Sequence, residues 1–374
     1  MRILLLITVL IRANPPNPRH PRSIPSLIEK IVLMIENIEK ILLIRLGSLG
    51  DIVLTLPVVE AVRNSFPNAY ITMLVGDKCA DIVSADHRFN EIIVIKRDAK
   101  GKEGLAEMRR VIDLLRERKF DVSIDMQRKF RTAYLAYQGK VKTRIGYHQP
   151  GGFLCNIKIP DKINKHSVDR NLDLIKPLGI DGADRIPRIH LSDEDRDFAK
   201  KMFESYNLSS DGKVLGVFPG AGWRPRCWMP DRFAKVADLA MQNDNAKVVI
   251  FCGPGEADIV GEVVSNMKAE PIVMKEKVTQ RQLSAMIERC DVMLSNDTGP
   301  MHISVAVGTV TVALFGPGNH IKFQPIGERH AIVRKDVPCS PCKQFTDKCK
   351  DNICMKLITV DEVWEAVHQR LGRS

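Results

Sequence analysis

At 374 residues the chain has room for two domains of ordinary size, each with its own core. Hydrophobic content of 44% and charged content of 27% are those of a soluble globular protein. A formal net charge of +11 calls for an acidic partner: nucleic acid, an anionic membrane or a phosphorylated substrate. Aromatic residues make up only 6% and no basic–aromatic motif appears, which puts nucleic acid last. Nine cysteines, mostly scattered singly through core-like segments, point to a reducing compartment rather than a disulfide scaffold.

Residues 1–38 form an atypical extension. Ile3 to Ile11 is an apolar run behind Arg2, too short for the roughly 20 residues that cross a bilayer. Arg12 and the prolines from Pro15 to Pro25 leave no small-residue cleavage site, and Ser26 to Glu39 has an amphipathic pattern. Translation from Met34, or a disordered or membrane-grazing extension, is expected ahead of secretion.

From Lys40 the pattern alternates strand and helix. Lys40 to Leu46 reads as a strand, and Gly47-Ser-Leu-Gly-Asp51 turns it into a helix to about Ser65, with Pro57 kinking or restarting it. This loop lacks the third glycine of a dinucleotide fingerprint and the lysine of a P-loop, but sets Asp51 at the strand's open end. Locally, two roles stay open for Asp51: balancing the helix dipole, or facing a ligand. Strands follow at Tyr70 to Val75, Ile92 to Ile95 and Phe120 to Asp125. The helix Glu103 to Arg118 is expected to bury Leu105, Met108, Ile112 and Leu115. Between Met126 and His148 there is no acidic residue, yet Arg128, Lys129, Arg131, Lys140, Lys142 and Arg144 fall there, a candidate surface for an acidic substrate. A helix opens at His166-x-x-x-Arg170, and the polar stretch from Asp181 to Leu191 is read as the domain boundary.

The second half repeats the alternation. Ser192 caps a charged helix, with Asp195 completing a capping box. The strand Val214 to Phe218 runs into Pro219-Gly-Ala-Gly222, and Arg224 and Arg226 follow: close backbone approach plus guanidinium groups suits a pyrophosphate. Lys247 to Cys252 is a strand that leads to Glu256, either a ribose-hydroxyl acceptor or a solvated helix-start carboxylate. Asp291 to Leu294 enters Asn296-Asp-Thr-Gly-Pro300 and a helix with His302 in its first turn, an anion site if the amides are free and an ordinary turn capped by Asp297 if not. Val310 to Phe315 ends in Gly316-Pro-Gly318. Near the C-terminus Cys339, Cys342, Cys349 and Cys354 could hold metal, pair, or stay reduced thiols. A last helix, Val360 to Leu371, has Thr359 and Glu362 as its capping box.

Several of these stretches together resemble glycosyltransferase family 9, the ADP-heptose:lipopolysaccharide heptosyltransferases. They are Ile44-Arg-Leu-Gly-Ser-Leu-Gly-Asp-Ile-Val-Leu-Thr-Leu-Pro57, Val122-Ser-Ile-Asp-Met-Gln127, His166-x-x-x-Arg170, Phe218-Pro-Gly-Ala-Gly222, Ser295-Asn-Asp-Thr-Gly-Pro-Met-His302 and Leu314-Phe-Gly-Pro317. The resemblance runs from about Glu39 to the end. It implies an α/β fold of GT-B type, two Rossmann-like domains facing across a cleft. Residues 39–185 would bind acceptor and residues 186–358 nucleotide sugar, the latter including the cysteine-rich segment 339–354, with 359–374 as a closing helix.

Asp51 matches the family's general base in an inverting transfer that requires no metal or other cofactor. Gly220, Arg226, Glu256, Asp297, Thr298, Gly299 and His302 match the nucleotide-sugar site, with ADP-heptose as donor; Arg226 stands where the family usually has lysine. Ser48, Gln127, Arg128, Arg131 and Arg144 are the acceptor candidates, facing the acidic, lipid-linked inner core of lipopolysaccharide. The implied location is cytoplasmic, peripheral on the inner membrane. Alternatives are the same chemistry on another nucleotide sugar and glycan, a nucleotide-sugar-binding protein without catalysis and, remotely, an oxidoreductase.

Overall fold

The structure, a computed structural model, describes residues 38–148, 152–208, 212–342, 349 and 351–372. The features expected within residues 1–37 lie outside the described residues. The chain divides between Arg185 and Ile186 into two compact units. Among the described residues no helix is long and apolar enough to cross a membrane.

The first unit is built on six parallel strands: β1 Lys40–Arg45, β2 Tyr70–Gly76, β3 Glu91–Ile95, β4 Val122–Asp125, β5 Thr143–Tyr147 and β6 Ile157–Ile159. Their order across the sheet is β3-β2-β1-β4-β5-β6. Helices on the faces bury both sides of the central strands, so β1 is a continuous apolar run, Ile41 to Ile44, each 0% exposed. The helix after β1 stops at Val53 and restarts as Leu56–Ser65 with Pro57 in its first turn, where a missing N–H costs nothing.

The helix Gly101–Arg118 departs from its pattern. Met108, Ile112 and Leu115 pack toward the sheet, but Leu105 is 70% exposed. Gly104 is the buried residue of that first turn, because its Cα faces the Ala99 carbonyl, 2.7 Å from where a Cβ would sit. Close backbone contact displaces the leucine outward.

The second unit repeats the topology. Its strands are β7 Val214–Phe218, β8 Lys247–Phe251, β9 Ile272–Met274, β10 Val292–Asn296, β11 Val310–Phe315 and β12 Ala331–Arg334, all parallel. They lie in the order β12-β11-β10-β7-β8-β9. Counted from each unit's own first strand, both sheets run 3-2-1-4-5-6, the doubly wound order. Four strands were not expected from periodicity: the short edge strands β6, β9 and β12, which at three or four residues carry too little pattern to read, and β5, whose Thr-Arg-Ile-Gly-Tyr lies within the basic run. The capping boxes at Ser192/Asp195 and Thr359/Glu362 both form.

Trp228 anchors the second core. It is fully buried, meets Phe233 edge-on at 5.2 Å and donates its indole N–H to the Ile358 carbonyl at 3.1 Å. Trp364, by contrast, is only partly buried against the same core. Trp228→Ala is expected to cost about 3–5 kcal/mol of stability through lost contacts and a residual cavity. Trp364→Ala should cost clearly less; equal losses in chemical denaturation would contradict this packing.

Candidate active site

A doubly wound sheet opens a crevice where successive connections diverge to opposite sides, beyond the carboxyl ends of its first and fourth strands. In the first unit those ends are β1 and β4. In the second they are β7 and β10. The candidate residues cluster at these two places.

Beyond β1, Asp51 lies in the third position of the helix Leu49–Val53. Ser48 donates to its Oδ2 from the backbone amide at 3.3 Å and from the hydroxyl at 3.2 Å. Arg45, the last residue of β1 and 5% exposed, approaches Asp51 Oδ1 with Nη2 at 2.6 Å. Its Nη1 donates to the Met126 carbonyl just past β4. A buried guanidinium is tolerable only when paired, and here the pairing fixes the carboxylate. Gln127 completes the bridge between the two strand ends by accepting from the Leu46 amide at 2.8 Å.

A small cavity beside Asp51 is lined by Arg45, Arg128, Tyr147, Arg170 and Asn171 among others. Arg128 adopts a left-handed backbone, φ 58°, uncommon for a residue with a Cβ. Its guanidinium stands 5.6 Å over the Tyr147 ring and 3.5 Å from Asp161, which Arg170 also grips at 2.9 Å. Burial, then the neighbouring Arg170 and Arg45, lower the Arg128 pKa, a sign that positive charge is concentrated here. Asp125, at the end of β4, is buried and its carboxyl is pushed up to about 6.

Of the acceptor candidates, the structure brings Arg128 to this cavity and uses the others elsewhere. Ser48 and Gln127 hold the loops. Arg131 donates to the Arg97 carbonyl at 2.7 Å, and Arg144 to the carbonyls of Leu154 and Val141 at 2.8 and 2.6 Å. Arg45 and Arg170 stand in the family motifs without an assigned role, and nothing in the sequence singles out Tyr147 or Asn171. The signal for Arg45 was present: an arginine closing a strand of otherwise buried apolar residues requires a partner.

In the second unit the same bridge recurs. Asn296, ending β10, donates to the Pro219 carbonyl at 2.7 Å and accepts from the Trp228 amide at 3.1 Å. Beyond it, Asp297 is 2% exposed but is not the helix cap; Thr298 occupies that position, without a side-chain cap bond. The helix Gly299–Ala306 then begins, its first-turn amides lacking intrahelical partners in the usual way. His302 is buried in that first turn, 6.4 Å edge-on from Phe323.

Arg226 donates to the Asp297 carbonyl at 3.1 Å, while its Nε lies 3.5 Å from Asp297 Oδ2. Among the described residues neither of these two buried atoms makes a hydrogen bond, so they attract as charges without alignment. Glycines make room around the carboxylates. A Cβ at Gly220 would fall 2.1 Å from the Glu256 carboxyl carbon, and one at Gly318 would fall 1.9 Å from Asp297 Oδ2. Glu256 accepts from the Gly253 amide at 3.2 Å; burial raises its pKa and that bond opposes the rise. Of the four C-terminal cysteines, Cys354 is buried, Cys342 partly so, and Cys339 and Cys349 are exposed. Among the described residues no three of these thiols lie within 4.8 Å of one another.

Burial pushes the Asp297 carboxyl up to about 6 from 3.8, with Arg226 pulling the other way. Between those values the folded protein keeps a proton that the unfolded chain releases. Stability therefore falls as pH rises from about 4 to about 6, by on the order of 3 kcal/mol for this group. Asp125 acts in the same direction, so Asp297→Asn should remove part of the slope; denaturation midpoints across this range measure it, and an unchanged slope would contradict the assignment.

With this geometry in view, the comparisons with known proteins are specific. The profile described as glycosyltransferase family 9 (heptosyltransferase) matches residues 108–352. Lipooligosaccharide heptosyltransferase 2 of Campylobacter jejuni subsp. jejuni serotype O:6 is 27% identical over 324 residues, 85% of this chain and 95% of that protein. The crystal structure of a family 9 glycosyl transferase from Veillonella parvula superposes with a TM-score of 0.78 at 25% identity, covering 90% of this chain and 98% of the other. The Escherichia coli heptosyltransferase WaaC with ADP-2-deoxy-2-fluoro heptose shares the fold, with a TM-score of 0.68 at 17% identity over 88% of this chain and 99% of that one. Two Rossmann-like units in one chain are the GT-B architecture, and the chain belongs to glycosyltransferase family 9, the heptosyltransferases.

Proposed function

We propose that the chain transfers heptose from ADP-heptose to a hydroxyl of the lipopolysaccharide inner core, with inversion, on the cytoplasmic side of the inner membrane. Residues 39–185 bind the acceptor and residues 186–358 the nucleotide sugar. The observation that carries the reading is Asp51. Its carboxylate lies in the first turn of the helix that follows the buried strand β1, is held by Arg45 and Ser48, and borders a cavity rich in guanidinium groups. In the proposed step the acceptor oxygen attacks the anomeric carbon, its proton passes to Asp51, and the bond to the diphosphate breaks with both electrons leaving on ADP.

The second unit supplies what the leaving group needs. The N-terminus of the helix Gly299–Ala306 and the Arg226 guanidinium favour accumulating negative charge on the diphosphate. Arg226 also offsets the charge of Asp297. Glu256, pressed against Gly220 and Gly253, accepts from ribose hydroxyls as acidic residues do at this position of the fold. Arg128 and Arg170 attract acidic groups of the acceptor beside Asp51.

The test is ADP release from ADP-heptose with a defined inner-core lipid acceptor. Acceptor-dependent release is expected in the wild type and should fall about a thousandfold in Asp51→Ala with ADP affinity unchanged. Release that persists in the variant would remove Asp51 from the role of base. Gly220→Ala, which drives a methyl group into Glu256, should weaken ADP binding about tenfold by calorimetry; unaltered affinity would mean that this loop does not hold the nucleotide.

A further inference from the structure

The helix Phe130–Gln138 buries Thr132, Ala133, Leu135 and Ala136 against the first sheet. Phe130 and Tyr137 lie on the other side, while Tyr134, on the same helical stripe, is half-buried and packs against the first core. Phe130 is 52% and Tyr137 48% exposed. The Phe130 ring stacks on Tyr134 with centroids 5.8 Å apart and meets Phe153 at 6.4 Å; Phe153, in the single turn Gly152–Leu154, is 71% exposed. Arg144 covers the Tyr137 ring at 5.4 Å, so the rings left in water are Phe130 and Phe153, and in a chain with only 6% aromatic residues packing does not explain that exposed pair.

Its electrostatic setting is one-sided. From Met126 to His166 the sequence carries nine lysines and arginines and a single carboxylate, Asp161, which Arg170 and Arg128 already engage. Lys129, next to Phe130, is exposed. On the adjoining helix Gly101–Arg118 the four carboxylates, Glu103, Glu107, Asp113 and Glu117, pair with Lys96, Arg110, Arg116 and Arg118, which leaves little negative charge to balance the face.

We propose that this face docks onto an anionic lipid bilayer, with Phe130 and Phe153 entering the interfacial layer and Lys129 meeting lipid phosphates. Aromatic rings favour that layer, and basic residues near the surface each add about 1 kcal/mol of attraction to acidic lipids. A second copy of the chain is a poor occupant, since it would set one basic face against another. Arg128, two residues before Phe130, lines the Asp51 cavity, so docking would hold that cavity close to the headgroups from which a lipid-linked acceptor projects.

The experiment is sedimentation of the full chain with phosphatidylethanolamine vesicles containing about three-tenths phosphatidylglycerol, and with phosphatidylcholine vesicles as the neutral control. The wild type is expected to bind the anionic vesicles, more weakly as salt rises, and not the neutral ones. Phe130→Ser with Phe153→Ser should lower the affinity at least about tenfold, and Lys129→Glu several-fold, with unchanged melting temperatures because these side chains are exposed. Undiminished binding by the double variant, or equal binding to neutral vesicles, would overturn the proposal. So would self-association of the wild type that the double variant abolishes, which would give the face to a second copy. The readout needs neither donor nor acceptor, and Asp51→Ala should bind vesicles like the wild type; a failure here is therefore separable from a failure of the transferase reading.

Discussion

Reversal of strand order at the first and fourth strands is the constraint on which the rest of the structure depends. Parallel strands covered on both faces must be apolar along their length, so polar chemistry is pushed to their carboxyl ends. At the reversal point the adjoining connections leave in opposite directions and a crevice opens. Each unit then secures its crevice in a similar way, with an amide side chain spanning the strands: Gln127 to the Leu46 amide in the first, Asn296 to Pro219 and Trp228 in the second. These bonds hold the loops that carry Asp51 and Arg226 in place before any ligand arrives.

The two crevices differ in their electrostatics, and the difference suits the two proposed tasks. In the first, Arg45 pairs directly with Asp51 at 2.6 Å, while Arg128 and Arg170 share Asp161. A fixed carboxylate thus sits among cations that can attract an acidic acceptor. In the second, the Asp297 carboxylate is buried beside the half-buried Arg226, and the facing atoms, Oδ2 and Nε, share no hydrogen bond although Arg226 also donates to the Asp297 carbonyl. A pair of this kind contributes little to stability, and its retention is better understood as preparation for a charged ligand.

Much of this could be read from sequence because the strand–glycine–helix alternation repeats with the period of the fold. The loops holding Asp51, Gly220, Glu256 and Asp297 all follow apolar runs that end abruptly, which is what a buried parallel strand leaves in a sequence. Long-range pairing was less legible. Arg131 and Arg144 share the basic run with Arg128, yet reach for backbone carbonyls, and only three-dimensional neighbours decide that difference. Arg45 was hidden for the converse reason, since it closes a strand that otherwise reads as core, and Tyr147 because its short strand, Thr143–Tyr147, carries Arg144 and reads as part of the basic run. Leu105 fits the helical stripe but yields its place to Gly104, whose close backbone contact no periodicity reveals.

The central claim is that Asp51 acts once, as a base, in a single displacement at the anomeric carbon. The most direct test is the anomeric configuration of the product, read by the one-bond carbon–proton coupling of the transferred sugar and compared with that of the donor. The account predicts opposite configurations in donor and product. Retained configuration would exclude a single displacement from the face opposite the diphosphate, and would contradict a base that draws the acceptor proton in that one step.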